Sequence, residues 1–409
     1  MARMSRRRSS LGRRAGLAVL GAALAVALIE GAARRDPDWL PPQIAAGLHP
    51  SAPAWSAVFM LDPRTGVRLR PSRRVIIQPS PDHRPYWLVT DAQGFRNPQD
   101  SPRADVVAVG DSMTEGVGVP DEQTWVRVLE QTSGWSVANL GTRGHELSMK
   151  LATLGVYGLP KRPRIALLEY LDDIGWRDAA TGQRAERLAP DHLPQMIRAW
   201  QDELASAQRQ DARRRRPYLV TCALVKMAGA ALRDLVTGAA GRQARREEQE
   251  MARRTTTVFL GGRPVRLAVP PGDLEDLAVR SREFLRRHPD WPRFQEHLLR
   301  LRQRCAAQGT RLVLVVIPDP LPLYLPLIAD QLPPHDALRA AVTHVDAHAE
   351  LLAAFCREHD MPCIDVTPAL RAAAARGEPL CFPVDVHWDA AGHRLIGQEI
   401  ARQLPPPDE

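Results

Sequence analysis

The chain has 409 residues, 44% of them apolar and 25% charged, enough to bury one large core or two smaller ones and too apolar for a disordered polymer. Its net charge of +8 is concentrated at the start: residues 1–35 hold eight arginines against Glu30 alone, which accounts for all but one unit. The remainder is close to neutral, so no basic footprint for nucleic acid is left. Only three lysines occur (150, 161 and 226), and the rest of the positive charge is arginine. The five cysteines (222, 305, 356, 363 and 381) fit no zinc spacing. Cys356 and Cys363 could pair in an oxidising compartment; the alternative is five small core residues.

The first element is the apolar run from Ala15 to Ile29, behind an arginine-rich tail. Extended to residue 33 it approaches the ~20 residues that span a bilayer. Arginines ahead of it favour a cytoplasmic N-terminus, so residues 1–35 are read as a basic tail and single-pass signal-anchor, with the main domain exported. A cleaved signal peptide, leaving a secreted protein, is the alternative. Ser5-Arg6-Arg7 matches a twin-arginine signal, a match that carries little in so arginine-rich a stretch. Residues 36–60, rich in Pro and Ala, read as a linker. Over 61–103, strand-like pieces at Leu61–Pro71, Val75–Ile77 and Tyr86–Thr90 alternate with turn residues and end at Asp91-Ala-Gln-Gly-Phe-Arg-Asn-Pro98, which predicts a small β-rich element packed on the main domain.

From residue 104 an α/β rhythm begins. Apolar runs at 104–109, 136–140, 164–170, 311–317 and 362–366 read as parallel strands covered on both faces, with helical patterns between them at 122–131 and 337–358. This predicts a doubly wound sheet over 104–404 with its site at the C-terminal strand ends. An insert of about 178–308 interrupts it. Helical patterns at 193–208 and 292–304, a basic-then-apolar stretch at 213–232 and a hairpin about Gly261-Gly262 lie inside. A lid and an elaborated surface subdomain are equally good readings of the insert. For 213–232 they are a membrane-surface segment and a buried helix with a solvated flank.

Three places carry chemistry. Ser112 ends the first run in Gly110-Asp111-Ser112, where strand gives way to helix, and the helix start offers N–H groups to a developing oxyanion. Position 114 is Thr, so this is not the Gly-x-Ser-x-Gly elbow. Gly141, after the second run, leaves its N–H free for the cleft, or is a plain turn glycine. His387 can act as general base on Ser112, with Asp385 orienting its ring if the loop folds back. Asp389 reads as the N-cap of a terminal helix with Leu395, Ile396, Ile400 and Leu404 as its buried stripe, and His393 within it as structural.

These residues resemble the SGNH/GDSL hydrolases: Gly110-Asp111-Ser112 their first block, Gly141 in Asn-Leu-Gly-x-x-Gly their second, and Asp385-x-His387 followed by Gly392-His393 their last. Asp91-Ala-Gln-Gly-Phe-Arg resembles the lead-in of bacterial envelope members with an N-terminal anchor. The likeness covers about 90–180 and 310–404. It implies a flavodoxin-like three-layer α/β/α sandwich on a five-stranded parallel sheet, and acyl-ester hydrolysis or transfer through an acyl-serine, with neither metal nor organic cofactor. An oxyanion hole of the Ser112 and Gly141 N–H groups is also implied. Asp-x-His-Trp is similar to SGNH-like acetyltransferases of exported polysaccharides. The substrate would then be an O-acyl ester, on an envelope glycan or a small molecule, with a membrane acyl-donor protein as partner if the enzyme is a transferase.

The third block departs from the family. Where an Asn normally donates to the oxyanion, Asp172 stands beside Asp173, and an ionised carboxylate cannot donate. The open readings are a protonated Asp172, a substitute donor in Thr142 or Arg143, a weak or inactive relative, or acids turned to solvent. The competing function is a non-catalytic envelope protein that binds a glycan or partner on the same fold.

Overall fold

The computed structural model describes residues 58–80, 82–171 and 251–404, with isolated helical positions within 21–32 and 198–249. The chain divides into two units, one of residues 1–52 and 212–249, the other of 53–211 and 250–409. In the first, Gly21 and residues 23–29, 31 and 32 are helical. Among the described residues no helix is long and apolar enough to cross a membrane. The insert's 213–232 stretch, and Asp172 and Asp173, lie outside the described residues. The sheet, the helices that cover it and the hairpins all belong to the second unit.

Five strands form one parallel sheet in the order β11-β10-β7-β5-β6: β5 (Val106–Val109), β6 (Val137–Asn139), β7 (Ile165–Leu171), β10 (Arg311–Ile317) and β11 (Cys363–Asp365). Successive side chains point to opposite faces, so a strand buried on both sides feeds two cores. Val106 and Ala108 enter one core with Val313, Val315 and Ile317, whereas Val107 and Val109 enter the other with Leu312, Leu314 and Val316.

Helices cover both faces. On the first lie α2 (Trp125–Ser133), α7 (Pro320–Ile328), α10 (Thr367–Ala375) and α11 (Ala390–Gln403); on the second lie α3 (Leu147–Thr153), α6 (Asp290–Ala306) and α9 (Ala347–Glu358). The result is the expected flavodoxin-like three-layer α/β/α sandwich, and the five predicted strands are all present.

Several boundaries differ from the sequence reading. The helix expected over 337–358 is two, α8 (Asp336–His344) and α9, broken at Asp346, whose carboxylate takes Arg371 of α10 at 2.8 and 3.0 Å. The helix expected from 122 starts at Trp125, where the Thr124 side chain caps it. The main domain also resumes well before residue 308. Trp291, Phe294, Leu298 and Leu301 of α6 are buried in the second core, which makes α6 a covering helix of the sheet. The hairpin reading is met by β8 (Thr256–Leu260) and β9 (Arg263–Leu267), joined at Gly261-Gly262, followed by α4 (Pro271–Val279) and α5 (Arg282–Arg287). Val258, Leu260 and Leu267 of the hairpin share the first core.

Ahead of the sheet stand two antiparallel hairpins, β1 (Phe59–Asp62) with β2 (Gly66–Leu69) and β3 (Arg74–Ile77) with β4 (Tyr86–Val89). They bury Phe59, Val67, Leu69, Ile77, Tyr86 and Leu88 in a small core of their own. That core claims Phe59, so the β element begins inside the stretch read as linker. The element is tied to the sandwich by Asp62, which accepts the Tyr157 hydroxyl, and by Arg64, which donates to it at 2.6 Å. The thiols of Cys356 and Cys363 are free and hydrogen-bonded to one another.

Candidate active site

Ser112 opens α1 (Ser112–Glu115) directly beyond β5 and is half-buried. Its N–H stands at the first helical position, where a helix supplies no internal acceptor. Asp111 is the N-cap, its carboxylate accepting from Met113 N at 2.9 Å. Gly110 is required by close approach: a Cβ there would lie 2.0 Å from Thr114 Oγ1 and 2.1 Å from Glu169 Oε2.

Beneath this turn lies a buried charge cluster. Lys150 Nζ of α3 meets Asp111 Oδ2 at 2.9 Å and Glu169 Oε1 of β7 at 3.2 Å. Glu169 Oε2 accepts Asp111 N at 2.8 Å and the Thr114 hydroxyl at 2.9 Å. Burial pushes Glu169 up, with the Asp111 charge next, to about 7. Burial alone would lower Lys150, but the two facing carboxylates outweigh it and raise it. The cluster holds the turn on either side of Ser112, and the sequence reading did not include it. Two signals were available: a glutamate inside the apolar run of β7, and one of only three lysines.

The lead-in motif acts on the same helix. Arg96, fully buried, donates to the carbonyls of Glu115, Gly116 and Val119 and so satisfies the end of α1. Asn97 donates to Asp91 Oδ2 at 2.8 Å and to Asn139 O at 3.0 Å, and Asn139 Nδ2 donates to Thr114 O at 2.9 Å. Residues 91–97 therefore lock α1 to the end of β6.

The loop bearing Asp385 and His387 is pinched at its base. Cys381 pairs with Trp388 in an antiparallel bridge, Phe382 N donates to His387 O at 3.1 Å, and Asp389 N donates to Leu380 O at 2.9 Å. The indole of Trp388 is fully buried and anchors the loop. At the tip the chain folds back as the sequence reading required: Asp385 Oδ1 accepts His387 N at 2.9 Å and also bonds His387 Nδ1. An Asp two residues ahead of its partner closes such a turn locally, which is why this spacing suffices. Burial works to raise Asp385, but the His387 bond, with the His83 imidazole close by, outweighs it and holds the carboxyl far below its usual range. The loop lies against the segment leaving α1: a Cβ on Gly118 would meet Phe382 Cε2 at 2.5 Å and His83 Cε1 at 3.2 Å.

Two residues at this loop were not foreseen. Asp82 and His83, from the turn between β3 and β4, reach Asp385. Asp82 Oδ2 accepts the N–H groups of Val384 and Asp385 at 3.1 Å each, and His83 Nε2 lies 3.7 Å from Asp385 Oδ1. A polar turn in a hairpin carries no sequence signal for this. Asp82, His83 and Asp385 together offer donor atoms within 4.8 Å of one another.

The expected oxyanion donors fare differently. The Gly141 N–H is not free: it donates to Asn139 Oδ1 at 2.8 Å, and the glycine is required because a Cβ there would lie 2.2 Å from Glu115 N. Arg143 is engaged by the buried Glu115, through its N–H at 2.8 Å and its guanidinium Nε at 3.0 Å. The Thr142 hydroxyl is buried without a hydrogen-bond partner among the described residues. Asp172, the departure from the family pattern, lies outside the described residues. His393 is structural, as expected, its Nδ1 accepting Trp125 N at 3.2 Å and so capping α2.

No curated protein matches the chain. Similar solved structures include a lipolytic protein of the G-D-S-L family from Desulfitobacterium hafniense DCB-2 (15% identity, 73% of this chain and 98% of that one, TM-score 0.35). An acetyl xylan esterase, AlAXEase (12%, 73% and 99%, TM-score 0.37), and a lipase/acylhydrolase from Enterococcus faecalis (13%, 73% and 93%, TM-score 0.32) are others. Residues 280–408 match the family model described as the SGNH hydrolase-like domain of acetyltransferase AlgX. That stretch takes in β10, β11, the Asp385–His387 loop and α11, so over its last third the chain is similar to the SGNH hydrolase-like proteins, on a parallel sheet whose β5 runs into Gly110-Asp111-Ser112.

Proposed function

We propose that the protein is a serine-dependent O-acyl esterase or acyltransferase, acting on an acetyl-type ester of an envelope glycan or a small ester. The carrying observation is the Asp385–His387 pair, closed by two bonds at one carboxylate oxygen and set against the segment that leaves α1. In this reading His387 Nε2 takes the Ser112 proton as Oγ attacks the acyl carbon, and Asp385 holds the ring through Nδ1. The Ser112 N–H faces the tetrahedral oxyanion. His387 then returns the proton to the departing alcohol, leaving an acyl-serine that water or a sugar hydroxyl opens. The match to an acetyltransferase-type domain supports a small acyl group.

The reading extends to location. The apolar run 15–33 anchors the chain as a single pass, with the second unit exported and, for a transferase, a membrane acyl donor as partner. Exposed Leu24, Leu28 and Ile29 in the helical positions of that run support it.

A non-catalytic, glycan-binding role on the same fold is the second reading, favoured by the committed Gly141 N–H. A fluorophosphonate probe separates the two. Labelling that disappears in Ser112→Ala, with loss of aryl-acetate turnover, supports the enzyme; folded wild-type protein that neither labels nor turns over sinks it.

A further inference from the structure

His83 is buried to 3% exposure, and neither ring nitrogen has a hydrogen-bond partner among the described residues. A buried imidazole without a partner is costly, so its surroundings have to account for it. Its ring packs on Phe382 at 4.2 Å between centroids, and Gly118, at a φ of +100°, leaves the room for both rings. This packing aims Nε2 at Asp385 Oδ1, 3.7 Å away, the oxygen that already accepts both bonds from His387. The rings of His83 and His387 thus both approach one carboxylate oxygen, edge to face, with centroids 6.4 Å apart. Asp82, the preceding residue, holds the backbone of that carboxylate through the Val384 and Asp385 N–H groups.

We infer that His83 is a positioning residue for the acyl chemistry: by donating from Nε2 it fixes the Asp385 carboxylate in the orientation that holds His387. The inference rests on the reading of Ser112, His387 and Asp385 as a triad. Catalytic hydrogen bonds are often long in a ligand-free protein and tighten with substrate, which suits a 3.7 Å approach. It gives the hairpin β3–β4 a role in catalysis, since Asp82 grips the main chain of Asp385 and His83 its side chain. A site assembled from the sandwich alone would lack both.

The test compares two variants of the full-length chain. His83→Phe keeps a ring against Phe382 and deletes the nitrogens; His83→Gln deletes the ring and keeps a donor at the Nε2 position. Expected for Phe is a fall in kcat on an aryl acetate of roughly 10- to 100-fold with little change in KM, the signature of lost alignment. Gln is expected to recover most of it. In parallel, the downfield proton resonance of the His387–Asp385 bond is expected to shift in Phe and return in Gln. If the Phe variant does not fold, His83→Asn, whose amide is too short to reach Asp385, takes its place. A Gln variant that does no better than Phe or Asn, in rate or in resonance, overturns the inference. Wild-type protein without Ser112-dependent turnover would instead sink the enzyme reading, and the resonance alone would then decide His83: unchanged in Phe, it overturns the inference.

Discussion

Replacing Lys150 by methionine removes the only cation seen in contact with Asp111 and Glu169 among the described residues, and the side chains of both acids are 1% exposed. Breaking a buried ion pair by deleting one partner costs about 3–5 kcal/mol, because the other charge stays buried. Here the cost depends on pH. Burial and the Asp111 charge already push Glu169 up to about 7 with Lys150 present, and without it the carboxyl rises further. An acid whose folded value exceeds its unfolded one stabilises below the unfolded value, and that stability is lost as pH rises through the folded value. Lys150→Met is therefore worst on the alkaline side, where two carboxylates would have to coexist, and milder near pH ~5, where Glu169 carries a proton.

At ~2–4 °C per kcal/mol, the loss near pH ~8.5 corresponds to a Tm drop of roughly 6–20 °C. Thermal melts at the two pH values measure it. Adding Glu169→Gln to Lys150→Met should restore part of the alkaline loss, because the second carboxylate is then gone. A drop that is the same at both pH values, or one under ~2 °C on the alkaline side, would refute the account of this cluster.

Gly141→Ala should yield little folded protein, since the new Cβ would sit 2.2 Å from Glu115 N and 2.5 Å from Thr114 C, both backbone atoms; soluble expression and circular dichroism report it. Asp389→Ala removes the side chain that caps α11 at 2.8 and 3.0 Å and should cost about 0.5–2 kcal/mol in a denaturant titration, with Trp388 fluorescence as probe. Asp385 is held below its ordinary value of 3.8, so its contribution is fully present above that value and is lost as pH falls through the folded one. Asp385→Asn should accordingly be less stable than wild type by a constant margin from pH ~5 to ~8, and the two should converge in stronger acid. A margin that grows with alkalinity would contradict it.

The parallel sheet was legible because continuous apolar runs of strand length, separated by helical periods, have few other ways to be buried. The Ser112 turn and the Asp385–His387 loop were legible for a different reason: their contacts are local. Asp111 caps two residues ahead, and Asp385 bonds the residue two positions on, so the chain order itself implies the geometry. Boundaries were less legible where a distant side chain intervened, as Arg371 does at Asp346 between α8 and α9.

What the chain order could not settle was which polar groups already have partners. Gly141 looked open because Asn139 is two residues away on a turn whose closure depends on Thr114 and Asn97. Arg143 looked available because Glu115, its partner, is 28 positions distant. The sequence by itself determined the sandwich, the strand-end serine and the Asp-x-His pair, all consequences of local periodicity and short-range bonds. Only the tertiary structure decided what surrounds them: Lys150 and Glu169 beneath the Ser112 turn, and His83 and Asp82 against Asp385. Buried charges and imidazoles need partners of matching chemistry, and the fold brings those partners from far along the chain.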